Sequence, residues 1–233
     1  MLKIPEYYYD GTFMPFQPIL TANRPTQAFQ PNDQLVTIGE FMTRSFYVQQ
    51  GILRFYILDA DTGSEKTELF IGPGGLFPLY SPVERQYRME RDAFLVQAQT
   101  DAVVTPIPQR DLATALATDP QFAMAMLRQY ADFSGILLYD AVILATQDSL
   151  TKVCNYLYQY EKLLKPHGVV LTQAAMASNV GLPLLTFTRV LQKLRTLGIV
   201  TTARKTLTVV DWPALVQRCS PELLADTAYN ENT

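Results

Sequence analysis

From Leu171 to Asp211 the chain reads LTQAAMASNVGLPLLTFTRVLQKLRTLGIVTTARKTLTVVD, and few folds accommodate that order. Thr172 stands where a helix N-cap is needed, before a short helix through Ser178, because its hydroxyl can accept from a free N–H of the first turn. Gly181 supplies a tight turn, and Pro183 suits the first turn of a second helix. In that helix Phe187, Val190, Leu191 and Leu194 recur at helical spacing and form the expected buried face. Leu184, Leu185, Thr186, Thr188, Arg189, Gln192 and Lys193 are left outside it. Gly198 ends the helix, and the runs Ile199 to Thr202 and Leu207 to Val210 flank Ala203, Arg204, Lys205 and Thr206. The pattern is a helix-turn-helix followed by a two-stranded wing with a basic tip, the arrangement that offers a helix to a DNA major groove.

The formal charge of −3 hides a division along the chain. Residues 1–149 hold 10 Lys+Arg against 17 Asp+Glu, residues 150–212 hold 8 against 2, and residues 213–233 hold 1 against 3. Phosphate contacts are therefore expected from the basic segment that contains the helix-turn-helix, and another task from the acidic front.

Between about Gln17 and Ala113 the sequence alternates short β-rich runs with turn residues: LVTIGE, RSFYVQQG, ILRFYILD, EKTELFIG, AFLVQAQT and AVVTPIP. Gly39, Gly51, Gly63 and the cluster Gly72-Pro73-Gly74-Gly75 fall where turns are required. This spacing predicts an antiparallel jelly-roll barrel. From Asp111 the pattern changes, and Pro120 opens a long helix to about Gln147. Its residues Phe122, Met126, Phe133, Leu137, Ala141 and Leu144 predict a seam for a second copy of the chain, with Tyr130, Ile136, Leu138 and Ile143 as a second apolar flank. The expected class is α+β: an effector-sensing barrel over residues 1–117, a dimerisation helix over 118–148, a winged helix over 149–212 and a tail over 213–233. In the tail, Pro221 to Ala228 has helical character.

This order of elements resembles the Crp/Fnr family of bacterial transcription regulators. VQQGILRFYILDADTGSEKTELFIGPGG is similar to the strand repeats of that family's cyclic-nucleotide-binding-like barrel, and LTQAAMASNVGLPLLTFTRVLQKLRTLGIVTTARKTLTVV to its helix-turn-helix and wing. The resemblance implies a cytoplasmic homodimer that takes a small effector in the barrel, binds double-stranded DNA and meets RNA polymerase. Where cyclic-nucleotide members carry a glycine-glutamate pair and an arginine followed by a small hydroxyl residue, this chain has Pro78-Leu79 and Asp92-Ala93. Iron-sulfur members need four cysteines for a cluster, but only Cys154 and Cys219 exist here. Haem-binding members use a barrel histidine, whereas the sole histidine, His167, precedes the DNA-binding motif.

The branch that remains nearest resembles the halorespiration regulators, which bind chlorinated phenolic acids between barrel and central helix. That resemblance points to Phe77, Leu79, Tyr80 and Tyr87 as walls of an effector site and to Arg85, Arg88 and Arg91 as partners for a carboxylate or phenolate. Tyr130 falls where such regulators place a tyrosine, and Phe133 stands where they place a cation. The effector is thus expected to be an aromatic or apolar acid and not a cyclic nucleotide. On the second helix Arg189 matches the family's base-reading arginine, while Leu184 and Leu185 replace hydrogen-bonding residues and, with Thr188, suit thymine methyls. Thr172, Thr186, Gln192, Lys193, Arg204 and Lys205 complete the expected DNA-contacting set, with Lys193 and the two wing cations assigned to phosphates.

Other chemistries fit poorly. Metal-dependent barrel enzymes need two or three histidines with a carboxylate. No Ser-His-Asp set or GxxxxGK[ST] loop is available, and GPGG at 72–75 lacks a helix N-terminus after it, so no catalytic residue, metal or cofactor is expected. The opening MLKIPEYYYDG lacks the regions of a secretory signal, and no apolar run is long enough to span a bilayer. The two distant cysteines are expected to be free thiols. An alternative is a ligand-binding barrel whose winged helix contacts proteins instead of DNA.

Overall fold

The computed structural model describes residues 7–37, 43–59, 61–79, 92–203, 206–221 and 223. Two compact units divide the chain, one of Tyr8–Ser134 and one of Gly135–Thr233 with Met1–Tyr7.

The first unit carries strand β1 (Tyr8–Tyr9), a 3-10 turn at Met14–Phe16, helix α1 (Gln17–Thr21), and strands β2 (Gln27–Phe29), β3 (Gln34–Val36), β4 (Arg44–Gln50), β5 (Leu53–Asp59) and β6 (Glu65–Ile71). Strands β7 (Leu76–Phe77), β8 (Asp92–Ala98) and β9 (Ala102–Pro108) follow, then helices α2 (Gln109–Thr118) and α3 (Pro120–Thr146). The strands form a sheet ordered β1-β6-β5-β8-β3 and another ordered β2-β9-β4-β7. The pairings are antiparallel except that of β1 with β6.

Local chemistry fixes the turns between these strands. After β5 the Asp59 carboxylate accepts from the N–H groups of Asp61 at 2.9 Å and Thr62 at 3.1 Å, and Gly63 takes the left-handed φ of +67° that closes the loop. Gly51 has φ +81°, and a Cβ there would lie 2.0 Å from the carbonyl oxygen of Asp101, so only glycine fits between β4 and β5. The sheets share one core. Phe55 of β5 meets Phe77 of β7 with ring centroids 4.5 Å apart, and Val48, Leu53, Leu69, Val96 and Val104 are sealed from solvent around them.

The expected runs RSFYVQQG, ILRFYILD, EKTELFIG, AFLVQAQT and AVVTPIP correspond to β4, β5, β6, β8 and β9. LVTIGE yields only the short β3, and Gly39 lies outside the described residues. The sequence alone did not mark β1, α1, β2, β7 or α2.

Helix α3 runs as expected, but its apolar positions divide differently. Phe122 and Met126 are buried in the first unit, where the Phe122 ring meets Phe13 at 5.6 Å and Phe16 at 5.2 Å. Phe133 is half-buried with its ring 5.9 Å from that of Phe77. In the second unit Ile136 and Ile143 are buried. The seam inferred from sequence is therefore displaced: Phe122 and Met126 fill the chain's own core and Phe133 packs half-buried against Phe77, because large rings recover the most free energy where sheets and helix enclose them. The face left outward carries Met124, Leu127, Ala131, Ser134, Leu138, Ala141 and Ala145, all exposed, at alternating spacings of three and four. Leu137 and Leu144 of the expected seam are exposed beside it.

The second unit continues with α4 (Ser149–Gln159), a π turn at Tyr160–Leu164, a 3-10 turn ending in the exposed His167, α5 (Gln173–Val180), α6 (Leu184–Thr196), the hairpin of β10 (Val200–Ala203) and β11 (Thr206–Val209), and α7 (Trp212–Val216). Its core joins Val153, Leu157, Met176, Phe187, Leu191, Leu194, Ile199 and Leu215. The tail helix expected at Pro221 to Ala228 falls almost wholly outside the described residues.

Because Phe122 is 1 % exposed and touches two other rings, Phe122→Ala is expected to destabilise the protein by about 3–5 kcal/mol, read as a lowered denaturant midpoint.

Candidate nucleic-acid interface

Helix α5 begins where Thr172 caps it, the hydroxyl oxygen accepting from Ala175 N at 3.1 Å. It ends at Gly181, whose φ of +69° lets the Leu182 N–H return to the Ala177 carbonyl at 3.0 Å. Pro183 sits one residue before α6, at its N-cap, and so precedes the first turn in which the sequence placed it. Its fixed φ still presets the chain for the helix.

Phe187, Leu191 and Leu194 are buried under α6, with Val190 half-buried beside them. Leu185, Arg189, Gln192 and Thr196 are exposed at spacings of four, three and four, so they share one outward ridge. Thr196 joins this ridge although the sequence did not single it out; its position four residues beyond Gln192 is the signal. Leu184 is 47 % and Leu185 62 % exposed, whereas Thr186 and Thr188 are half-buried and the Thr188 hydroxyl donates to the Leu185 carbonyl at 3.0 Å.

Lys193 is exposed. The carboxyl of Asp148, N-cap of α4, is held low mainly by the Thr151 backbone N–H at 2.8 Å, with smaller help from the Lys193 ammonium. Arg195 donates to the Thr202 hydroxyl at 3.1 Å and ties α6 to the wing. In the hairpin Ala203 pairs with Thr206, and Arg204 and Lys205, between them in sequence, lie outside the described residues. A cavity of about 440 Å³ opens between Val170, Thr172, Gln173 and Met176 on one side and Ala203 and Leu207 of the wing on the other.

A polar junction anchors this unit that sequence alone did not reveal. Buried Asn155 of α4 accepts from Ser220 N at 2.9 Å and donates to the Tyr139 hydroxyl of α3 at 3.1 Å. Farther along α3, Asp140 accepts from the Tyr7 hydroxyl. Isolated Asn and Tyr residues on helices carry no spacing signal, which is why they escaped notice.

Of the expected effector residues, Phe77 and Phe133 touch, Leu79 is buried and Tyr130 is half-buried on α3. Tyr80, Arg85, Tyr87, Arg88 and Arg91 lie outside the described residues. A side chain missed by sequence sits among them: Gln129 is 3 % exposed and donates from Nε2 to the Leu76 carbonyl at 3.0 Å. Among the described residues no group of three or more His, Cys, Asp or Glu is placed to hold a metal ion.

Residues 151–218 match the family described as the Crp-like helix-turn-helix domain. No curated protein sequence matches the chain. Solved structures do. FixK2 from Bradyrhizobium japonicum superposes with TM-score 0.68 at 20% identity, over 84% of this chain and 98% of that one. CLP, the c-di-GMP-responsive global regulator of Xanthomonas campestris, reaches TM-score 0.72 at 19% identity over 84% and 98%. CprK complexed with OCPA reaches 0.64 at 16% identity over 91% and 98%. The chain has the fold of the Crp/Fnr regulators. In Crp/Fnr terms the first unit holds the β-rich N-terminal domain, α3 is the long helix, and the ridge of α6 lies within the helix-turn-helix.

Both cysteines are free and buried, one within the helix-turn-helix match and one a residue past its end. Burial pushes the Cys154 thiol up from 9.0 to about 12, and the same desolvation, reinforced by Cys154, raises Cys219. The native state thus keeps protons that the unfolded chain gives up. Stability from this source is full below pH 9.0 and lost as pH rises toward 12, by roughly 1.4 kcal/mol per pH unit for each thiol. In a thiol titration at neutral pH, neither cysteine is expected to react until denaturant unfolds the protein; rapid labelling of the native state would contradict the burial.

Proposed function

We propose that the protein is a sequence-specific DNA-binding transcription regulator that works as a homodimer and answers to a small effector. The observation that carries this reading is the exposed ridge of Leu185, Arg189, Gln192 and Thr196 on α6, inside a Crp-like helix-turn-helix domain. Helices of this kind enter the major groove with their N-terminal residues at base edges. Arg189 has the reach and the paired donors to read guanine, and Leu184 and Leu185 offer apolar surface to thymine methyls, so the half-sites combine a G·C pair with A/T-rich flanks. Lys193, Arg204 and Lys205 serve phosphates, and the excess of cations over residues 150–212 supplies the sequence-independent part of affinity. Thr172 holds α5 in place through its cap and belongs to the proposed DNA-contacting set.

The outward face of α3 supports the dimer. Leu138 is 71 % and Leu127 61 % exposed, and with Met124, Ala131, Ser134, Ala141 and Ala145 they repeat every three and four residues, the period of a two-helix seam. A two-fold dimer on this face gives two recognition helices for an inverted repeat. The effector belongs to the aromatic wall of the first unit, where Phe77, Leu79, Tyr130 and Phe133 lie; CprK, whose fold is similar, is known complexed with OCPA. Changing the dimer through this wall would change DNA affinity. RNA polymerase is the further partner that a transcription regulator meets, and the cytoplasm is its place of action. No described helix is long and apolar enough to cross a membrane.

Two substitutions test the reading. Arg189→Ala is expected to cost about 1–3 kcal/mol on the preferred duplex and to relax specificity at one position of each half-site, measured by competition among single-base variants; equal loss on every duplex would reassign it to a phosphate. Leu138→Glu places charge in the proposed seam and is expected to turn the sedimenting species from dimer to monomer, with at least a tenfold loss of operator affinity. A variant that stays dimeric would refute the seam.

A further inference from the structure

We propose that the side-chain carbonyl of Gln129 is the polar recognition point of the effector site, and that the effector is an uncharged aromatic molecule presenting an N–H or O–H to it. This rests on the reading above that an aromatic effector binds against the N-terminal half of α3, and it replaces the acid expected from sequence by a hydrogen-bond donor.

Gln129 stands on the inward face of α3, one turn before Phe133 and three residues after Met126. Its Nε2 donates to the Leu76 carbonyl at 3.0 Å. A carbonyl only accepts, so the amide nitrogen must face Leu76 and Oε1 must face the other way. That oxygen is buried and has no hydrogen-bond partner among the described residues. Burying an unmet acceptor is unfavourable, and an apolar side chain would occupy the same position without that cost. Among the described residues nothing donates to this oxygen, and the donor it lacks is assigned to a bound molecule.

The surroundings say what carries the donor. Leu76 continues into Phe77, whose ring lies 5.9 Å from Phe133 and 4.5 Å from Phe55, and Phe55 in turn stacks on Phe94 at 5.9 Å. Phe94, Tyr130 and Phe133 are only half-buried, so the aromatic wall has an open margin. The neighbours that flank Gln129 on this face, Leu76, Phe77, Met126 and Phe133, bring no cation. A carboxylate or phenolate next to Oε1 would set two acceptors against each other, with no cation among these described neighbours. A neutral ring with one N–H or O–H satisfies the oxygen and packs on the wall.

Donor-matched probe pairs test this on the full-length reduced protein: indole against 1-methylindole, and phenol against anisole, titrated by ligand-observed NMR. The donor member of a pair is expected to bind at least tenfold tighter, and Gln129→Leu to bring the two within twofold. Thermal melting confirms that the variant is folded, and Gln129→Met serves if it is not. Equal affinities in the unsubstituted protein, or a preference that survives in the variant, overturn the assignment but leave the aromatic effector standing. Binding of no member of either pair overturns both. DNA recognition is read separately, so neither outcome is confused with failure of the helix-turn-helix.

Discussion

Phe122, Met126, Gln129 and Phe133 lie along one face of α3, and their enclosure by the chain's own first unit sets what every other face of that helix is free to do. A helix apolar nearly all round must cover more than one side. The core takes one, through rings at Phe13, Phe16 and Phe77, and Gln129 locks the register by its bond to Leu76. The opposite side is left with Met124, Leu127, Leu138 and their small neighbours in water. Exposing two leucines by more than half is unfavourable for an isolated chain, and this is the physical pressure toward a second copy.

The same helix serves both units. Its residues up to Ser134 belong to the unit that contains the strands, and those from Gly135 onward to the unit that contains α5 and α6. Within that second unit buried Asn155 joins the half-buried Tyr139 of α3 to buried Ser220 beyond α7. Buried, satisfied polar groups tolerate little rearrangement. The latter half of α3 and the winged helix thus belong to one compact unit.

What the sequence made legible follows from how locally each element is specified. The helix-turn-helix was plain because Thr172, Gly181 and Gly198 are each demanded by a cap or a left-handed turn, and the burial of Phe187, Leu191 and Leu194 repeats on one face. Strands β4, β5, β6, β8 and β9 were plain because β-branched and aromatic residues run between strong turn formers. Strand β1 was not, since Tyr7 to Tyr9 has no alternation and pairs in parallel with a partner some sixty residues on. On α3 hydrophobicity alone could not say which apolar stripe faces the chain's own core. Only tertiary packing shows that Phe122 is already enclosed and that Phe133 leans on Phe77. Gln129 carries no pattern at all, because its significance lies in an oxygen left over once the fold is complete.

Regulation by this protein requires a two-fold dimer that reads DNA through α6. Selection from a random duplex library by the purified, reduced protein at physiological salt, followed by sequencing of the bound fraction, addresses that directly. It should enrich an inverted repeat whose half-site centres are one helical turn apart, about 34–36 Å, with a G·C pair in each half-site and A/T-rich flanks. Enrichment of a single unpaired half-site would contradict the dimer, and a bound fraction no different from the input would contradict sequence-specific recognition by this helix.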